Sequence, residues 1–162
     1  MQVEKVVINA SPFILLCKSG LAGLLPQLFK EIRMPEAVRG EIERGGDTAS
    51  YQLHDYEQTW LKRCLIDSAP EVLVWNLGDG ETEVLSFALV NEHCTALVDD
   101  RAARKCADTL SVKTLGTGGI LILAKKRGLI QDVSHELLKL TGAGLWLSDE
   151  IVEVILKQAG EL

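Results

Sequence analysis

Asn9, Glu41, Glu81, Glu83, Asp99 and Asp100 are the side chains whose types and positions suit shared chemistry. Asn9 closes the mostly apolar climb "VEKVVIN", and Ser11 follows it in "NASP". The two aspartates close "CTALVDD", Glu41 stands in "VRGEIE", and Glu81 and Glu83 compete for one role in "GETEVL". Carboxylates gathered without matching bases repel and raise one another's pKa, so they stay together only with a compensating cation. An oxygen-only set, with no histidine or cysteine in it, suits magnesium or manganese rather than zinc. Plainer roles compete at every position. Asp100 can simply cap the helix that follows it. Glu81 and Glu83 can complement a helix dipole, Glu41 can be a solvated helix residue, and Asn9 can serve a strand-end turn.

Two further stretches carry polar groups. Arg101, Arg104 and Lys105 lie at helical spacing beside the aspartates, either as a solvated face or as a grip on RNA phosphates without sequence preference. Lys125, Lys126 and Arg127 end a helix, where cations suit the dipole. "LGTGG" follows a strand and opens a helix, but Leu121 stands where a dinucleotide fingerprint needs its third glycine. Its glycines permit close backbone approach, and Thr117 is the expected helix cap, near a substrate phosphate. A nucleotide-binding enzyme built on this loop is the minor alternative.

The elements that must position these residues are legible in outline. A strand is expected over Val3–Ile8. A helix then starts at Ser11-Pro12, with the serine hydroxyl as cap and proline where a missing N–H costs nothing. "LAGLLPQLF" reads as a short helix, "EIRMP" as a strand, and "PEAVRGEIERG" as a helix with Pro35 at its first position. Residues 47–63 read as polar helix and "EVLVWNL" as a short edge strand. "GDGETEVLSFALVNEH" is a helix capped by Asp79. "CTALV" is a strand, "RAARKCADTL" a helix, "SVKTLGTGG" a strand running into a glycine loop, and three more helices finish the chain. Alternating strands and helices predict an α/β fold, a three-layer sandwich around a central parallel sheet with right-handed crossovers. Ligands of such sheets bind beyond the carboxyl ends of the strands, where strand order reverses.

The bulk properties narrow the function. One domain over residues 1–162 is expected from 162 residues, 47% hydrophobic and 25% charged. A net charge of −6 and a pI near 5.1 provide no global positive field, which counts against a simple nucleic-acid binder. An RNA role therefore needs a local basic patch or a metal ion. Cys17, Cys64, Cys94 and Cys106 form no C-x-x-C pair and read as reduced thiols, and His54, His93 and His135 are dispersed. No signal-peptide layout is present, and "FILLC" and "ILILA" are too short to span a bilayer, so a cytoplasmic protein without membrane contact is expected.

"VVINASPFILLCKSGLAGLLPQLF", "MPEAVRGEIERG", "LGDGETEVLSFAL", "ALVDDRAARKCADTLSVKTLGTGGILILAKKRGLI" and "LSDEIVEVILKQAGE" resemble, in order, the PIN-like group called DUF3368, relatives of the VapC-type toxin ribonucleases. The similarity covers nearly the whole chain and is most specific from Ala96 to Ile130. It implies a parallel α/β sandwich whose acids bind magnesium or manganese for phosphodiester hydrolysis. Carried over, Glu41, Glu81, Asp99 and Asp100 become the catalytic acids, and Asn9, Glu41, Glu81, Glu83, Asp99 and Asp100 the candidate metal ligands. Asn9 replaces the usual first acid and brings no charge. Ser11, Arg101, Arg104 and Thr117 become candidate substrate contacts. The expected function is a metal-dependent ribonuclease acting on RNA, the toxin of a pair with a small antitoxin protein. The alternative is a non-catalytic module with a weakened metal site, binding RNA or a protein. A homodimer is expected because "PFILLCKSG" and "LAGLLPQLF" exceed one amphipathic stripe in apolar surface and because the resemblance implies paired subunits.

Overall fold

The computed structural model describes residues 4–162. Val3, the expected start of the first strand, lies outside the described residues. In chain order the elements are β1 (Lys5–Ile8), α1 (Ala10–Lys18), α2 (Leu24–Leu28), β2 (Glu31–Pro35), α3 (Glu36–Gly45), α4 (Thr48–Glu57), β3 (Leu61–Cys64), α5 (Pro70–Leu73), α6 (Asp79–Val90) and β4 (Cys94–Leu97). They continue as α7 (Arg101–Thr109), β5 (Thr114–Leu115), α8 (Thr117–Lys126), α9 (Val133–Gly142) and α10 (Asp149–Gln158).

The five strands form one sheet in the order β3-β2-β1-β4-β5, every pair parallel. From β1 the chain winds outward to β2 and β3, then returns across the sheet to β4 and β5. The order therefore reverses between β1 and β4, which opens the crevice where ligands of such sheets bind. Right-handed crossovers travelling in opposite directions put helices on both faces. α6 packs on β1, β2 and β4, while α2 and α4 pack on β2 and β3. Val6, Val7 and Ile8 are wholly buried, as are Ala96 and Leu97, because both strands are covered on both faces.

Several local expectations are corrected. α1 begins at Ala10 with Asn9 in the cap position, so Ser11 is an exposed first-turn residue and caps nothing. Pro35 precedes α3 as its cap residue, and Gly78, not Asp79, precedes α6. The expected strand "EVLVWNL" instead starts inside the short helix α5, which Pro70 opens and in which Val72 is fully buried. The strand at the sheet edge beyond β2 is "LKRC", which overlaps the end of the stretch expected to be helical. Only Leu61 is buried there, so no apolar alternation announced it; pairing with β2 makes it a strand.

The apolar surplus of α1 and α2 is consumed within the chain. Phe13, Leu15, Leu16, Leu24, Leu25 and Leu28 are all core residues, which removes the surface offered as grounds for a dimer. The four cysteines are free, three of them buried, and burial pushes the Cys17 and Cys94 thiols up to about 12. Such thiols are inert at neutral pH. Among the described residues no helix is long and apolar enough to cross a membrane.

Candidate functional site

The chain end of β1 faces the reversal crevice. Asn9 donates its backbone N–H to the Leu97 carbonyl (3.1 Å), which carries the pairing of β1 with β4 one residue past the strands. Its side chain makes no capping hydrogen bond to its own helix, although it occupies the cap position. The amide points elsewhere. A Cβ placed on the buried Gly80 of α6 would lie 3.3 Å from Asn9 Oδ1 and 3.5 Å from Glu41 Oε1. The absence of a side chain at Gly80 thus lets α6 close onto β1 and α3 and brings these two oxygens to one spot. Glu41 reaches it because Val38 and Ile42 of α3 are buried and turn the helix so that Glu41 flanks the packed face.

Glu81 lies in the first turn of α6, beside the same spot. Burial pushes its carboxyl up to about 7, helped by the neighbouring Asp100 carboxyl and by Glu41; a backbone hydrogen bond at Gly78 opposes the rise. As a carboxylate, its buried Oε2 has no donor to accept from. The Asp100 carboxyl can complete a hydrogen bond with Glu81 only if one of the two carries a proton, since two carboxylates are both acceptors. Glu83 is sorted away from this group. Its Oε1 accepts the Ala37 N–H (3.1 Å) and thereby satisfies the first turn of α3.

The two aspartates after β4 do different work. Asp100 Oδ2 accepts the Ala103 N–H (3.0 Å) and caps α7, while its carboxyl also borders Glu81. Asp99 binds Thr117 twice, Oδ1 accepting the backbone N–H (2.7 Å) and Oδ2 accepting the hydroxyl (2.6 Å). Asp99 therefore caps α8 from across the crevice. Thr117, expected near a substrate phosphate, is 0% exposed and spends its hydroxyl on Asp99. "LGTGG" is accordingly not an open phosphate loop: α8 starts at Thr117, and its N-terminus already holds a carboxylate. Its glycines serve packing. A Cβ on Gly116 would meet Arg104 Nη1 at 2.7 Å and Asp99 Oδ1 at 3.1 Å.

Arg104 donates from Nη1 to the Val98 carbonyl (3.3 Å) and so is partly committed to the fold, whereas Arg101 is exposed at the start of α7. Ser11 is exposed two residues beyond Asn9.

The structure thus brings together Asn9, Glu41, Glu81 and Asp100, with Asp99 alongside but engaged by Thr117. Among the described residues no ion pair reaches Glu41, Glu81, Asp99 or Asp100. Nor do three His, Cys, Asp or Glu side chains converge there as a ready-made cage. The donor chemistry nevertheless fits a hard divalent cation: oxygen atoms only, no base in an ion pair with them among the described residues, and one buried carboxylate oxygen without a partner. Gly80 is the member of this site that sequence reasoning missed. Its only sequence signal was a glycine inside an otherwise good helix start.

A family model described as DUF3368, a PIN domain, matches residues 5–161. No curated protein matches the chain.

Proposed function

The chain belongs to the PIN-domain family, and from that premise we propose that it is a magnesium- or manganese-dependent endoribonuclease. PIN domains are generally dependent on divalent metal and have a nuclease-like fold. The observation that carries the proposal is the Glu81 carboxyl. It is half-buried, raised to about 7 and partnerless at one oxygen, between the carboxyls of Asp100 and Glu41. Glu41, Glu81 and Asp100 would hold the ion, with Asn9 offering a neutral carbonyl oxygen and Asp99 a carboxylate that is shared with Thr117. A bound divalent ion supplies polarisation of a phosphodiester and activation of water. The chain's own residues orient the site: Gly80 sets the approach of α6, Glu83 holds α3 against it, and Thr117 fixes Asp99. Ser11, Arg101 and Arg104 are the proposed contacts to RNA. In the same reading the enzyme works in the cytoplasm as the toxin of a pair, restrained by a small antitoxin protein.

Asn9→Asp tests the reading. The substitution restores a charged oxygen ligand with almost no change of shape. By analogy with changes in the groups around metal ligands, manganese affinity should rise by at least roughly tenfold, and cleavage of a fluorogenic RNA should rise with it. Stability without metal should fall slightly, because the new carboxylate adds to the repulsion at Glu41 and Glu81. Calorimetric titration of both proteins with manganese measures the first effect. Equal affinities would mean that Asn9 does not face an ion.

A second reading, a non-catalytic module that binds RNA or a protein, is favoured by two observations: the neutral Asn9 and the double commitment of Asp99 to Thr117. RNA or protein binding with neither manganese binding nor cleavage would establish it.

We retain a homodimer within the proposal, on a different surface. Trp146 is 83% exposed, and Leu138, Ile151 and Val154 are also exposed on or between α9 and α10. Light scattering at micromolar concentration is expected to return twice the chain mass, and Trp146→Glu to return the single mass. A monomeric wild type would exclude it.

A further inference from the structure

An acidic chain needs a local basic surface to hold RNA, and the Arg101–Arg104 face is partly spent on the fold. A second basic surface lies on the sheet face that α6 leaves open toward the β3 edge. It is a groove of about 830 Å³, with Lys5, Arg33, Arg63, Glu36, Phe87 and Asn91 in its lining. The strand register explains the concentration of charge. Lys5 pairs with Glu31 and Arg33 with Lys62, so these four side chains leave the same face. Arg63, next to Lys62 on the edge strand and directed to the other face by the register, still reaches the lining. With Glu36 these make four cations against two carboxylates, a net +2 on a chain of net −6. Glu57, 3.7 Å from Arg63, is already paired with Arg39.

Three of the four cations, Lys5, Arg33 and Arg63, are held in place and retain unused donors. Arg33 donates from Nε and Nη2 to Glu31 Oε1 (3.0 and 2.6 Å), and Arg63 donates from the same two atoms to Glu36 (2.7 and 2.9 Å). Each fork fixes a guanidinium by its outer edge. Among the described residues Nη1 of both has no hydrogen-bond acceptor. Lys5 is anchored on Asn91 Oδ1 (3.2 Å) and stands 5.3 Å from the centre of the Phe87 ring. A guanidinium fixed in this way can donate from its free Nη1 to a phosphate oxygen and loses little freedom on binding it.

The groove also leads to the acids. Glu36 on its rim and Glu41 in the site are five residues apart on α3, about 7 Å along the helix axis. Phe87 and Asn91 on its wall continue the helix that carries Glu81. Glu83 ties the two helices together between groove and site.

We propose that this groove is the track for the phosphates of the RNA strand flanking the scissile bond. It rests on the RNA reading given above and adds the place where the strand leaves the site. The recognition is of backbone charge, without sequence preference.

The test is binding of a short fluorescein-labelled oligouridylate, followed by anisotropy in EDTA across a range of salt, with cleavage of the same RNA measured separately in manganese. Wild type is compared with Lys62→Glu and Arg33→Gln. Lys62 is exposed on the edge strand, so its variant keeps the test open if loss of the Arg33–Glu31 fork prevents folding, which circular dichroism checks. Each variant is expected to weaken binding about tenfold, the size of one charged hydrogen bond. Each should also flatten the logarithmic salt slope by roughly 0.7 for every phosphate that is no longer neutralised. Unchanged affinity and slope in both folded variants overturns the track, while wild-type cleavage then leaves the ribonuclease standing. Weakened binding in the variants of a protein that never cleaves supports the track and removes the ribonuclease. A wild type that does not bind RNA overturns the track, and only absent cleavage in manganese besides removes the ribonuclease.

Discussion

Glu81→Gln is expected to raise the thermal stability of the metal-free protein above neutral pH and to abolish manganese binding at the same time. The physical reason is the cost of ionising Glu81 inside the crevice. Its carboxyl sits at about 7 in the folded protein against an ordinary value of 4.5, first because of burial, then because of Asp100 and Glu41. A carboxyl raised in the folded state contributes stability that is fully present below 4.5 and is lost as pH climbs through 7. The distance between those values sets a ceiling of about 3 kcal/mol, and the partial exposure of the group lowers it. At this chain length that corresponds to several degrees of melting temperature, at about 2–4 °C per kcal/mol. Glutamine never ionises, so melts of the variant in EDTA should run flat across the window in which the wild type declines. In manganese the order reverses, because only the wild type gains stability from a bound ion. Parallel pH curves for the two proteins would show that Glu81 carries no such cost. A variant that binds manganese as tightly as wild type would take Glu81 out of the ligand set.

Asp99 separates structure from catalysis through two substitutions. Asp99→Ala strands both the backbone N–H and the hydroxyl of Thr117 in a buried place. Each unsatisfied group costs about 1–3 kcal/mol, so a loss of roughly 2–6 kcal/mol is expected in urea unfolding. Asp99→Asn keeps both bonds: its carbonyl accepts from the N–H, and its amide donates to a hydroxyl turned to accept. The asparagine variant should therefore fold as stably as wild type while losing manganese-stimulated cleavage of single-stranded RNA. If it cleaves undiminished, Asp99 acts only through Thr117, as a positioning residue for α8, and the reaction rests on Glu41, Glu81 and Asp100. If the alanine variant is as stable as the asparagine one, the Asp99–Thr117 clasp is not what holds α8 to the crevice.

The amino-acid sequence by itself determined the class of fold and the places where polar groups would stand. Short apolar runs bounded by turn residues, such as Val6–Ile8 and Ala96–Val98, read as strands covered on both faces, and their alternation with helices predicts a parallel sheet. Asn9 and the Asp99-Asp100 pair were legible as strand-end residues for the same reason: the apolar run stops at them. Asp100 was also legible as a helix cap, since that bond is local, three residues long. Tertiary structure decided the rest. β3 is a strand only because β2 lies beside it, since Lys62 and Arg63 are exposed and carry no strand pattern. Glu81 and Glu83 compete in the sequence, with Glu81 the better fit by its spacing to Ala88-Leu89; only the approach of α3 gives Glu83 the Ala37 N–H and leaves Glu81 facing Asp100. The bonds from Asp99 to Thr117 and from Glu161 to Val133 and Ser134 join residues 18, 28 and 27 positions apart. No periodicity encodes contacts of that span, because they depend on where the crossovers return the chain. Gly80 is the clearest case: a glycine in a helix start costs stability locally, and only the packed fold shows that a side chain there would press on Asn9 Oδ1 and Val38 Cγ2, each 3.3 Å from its Cβ, beside Glu41.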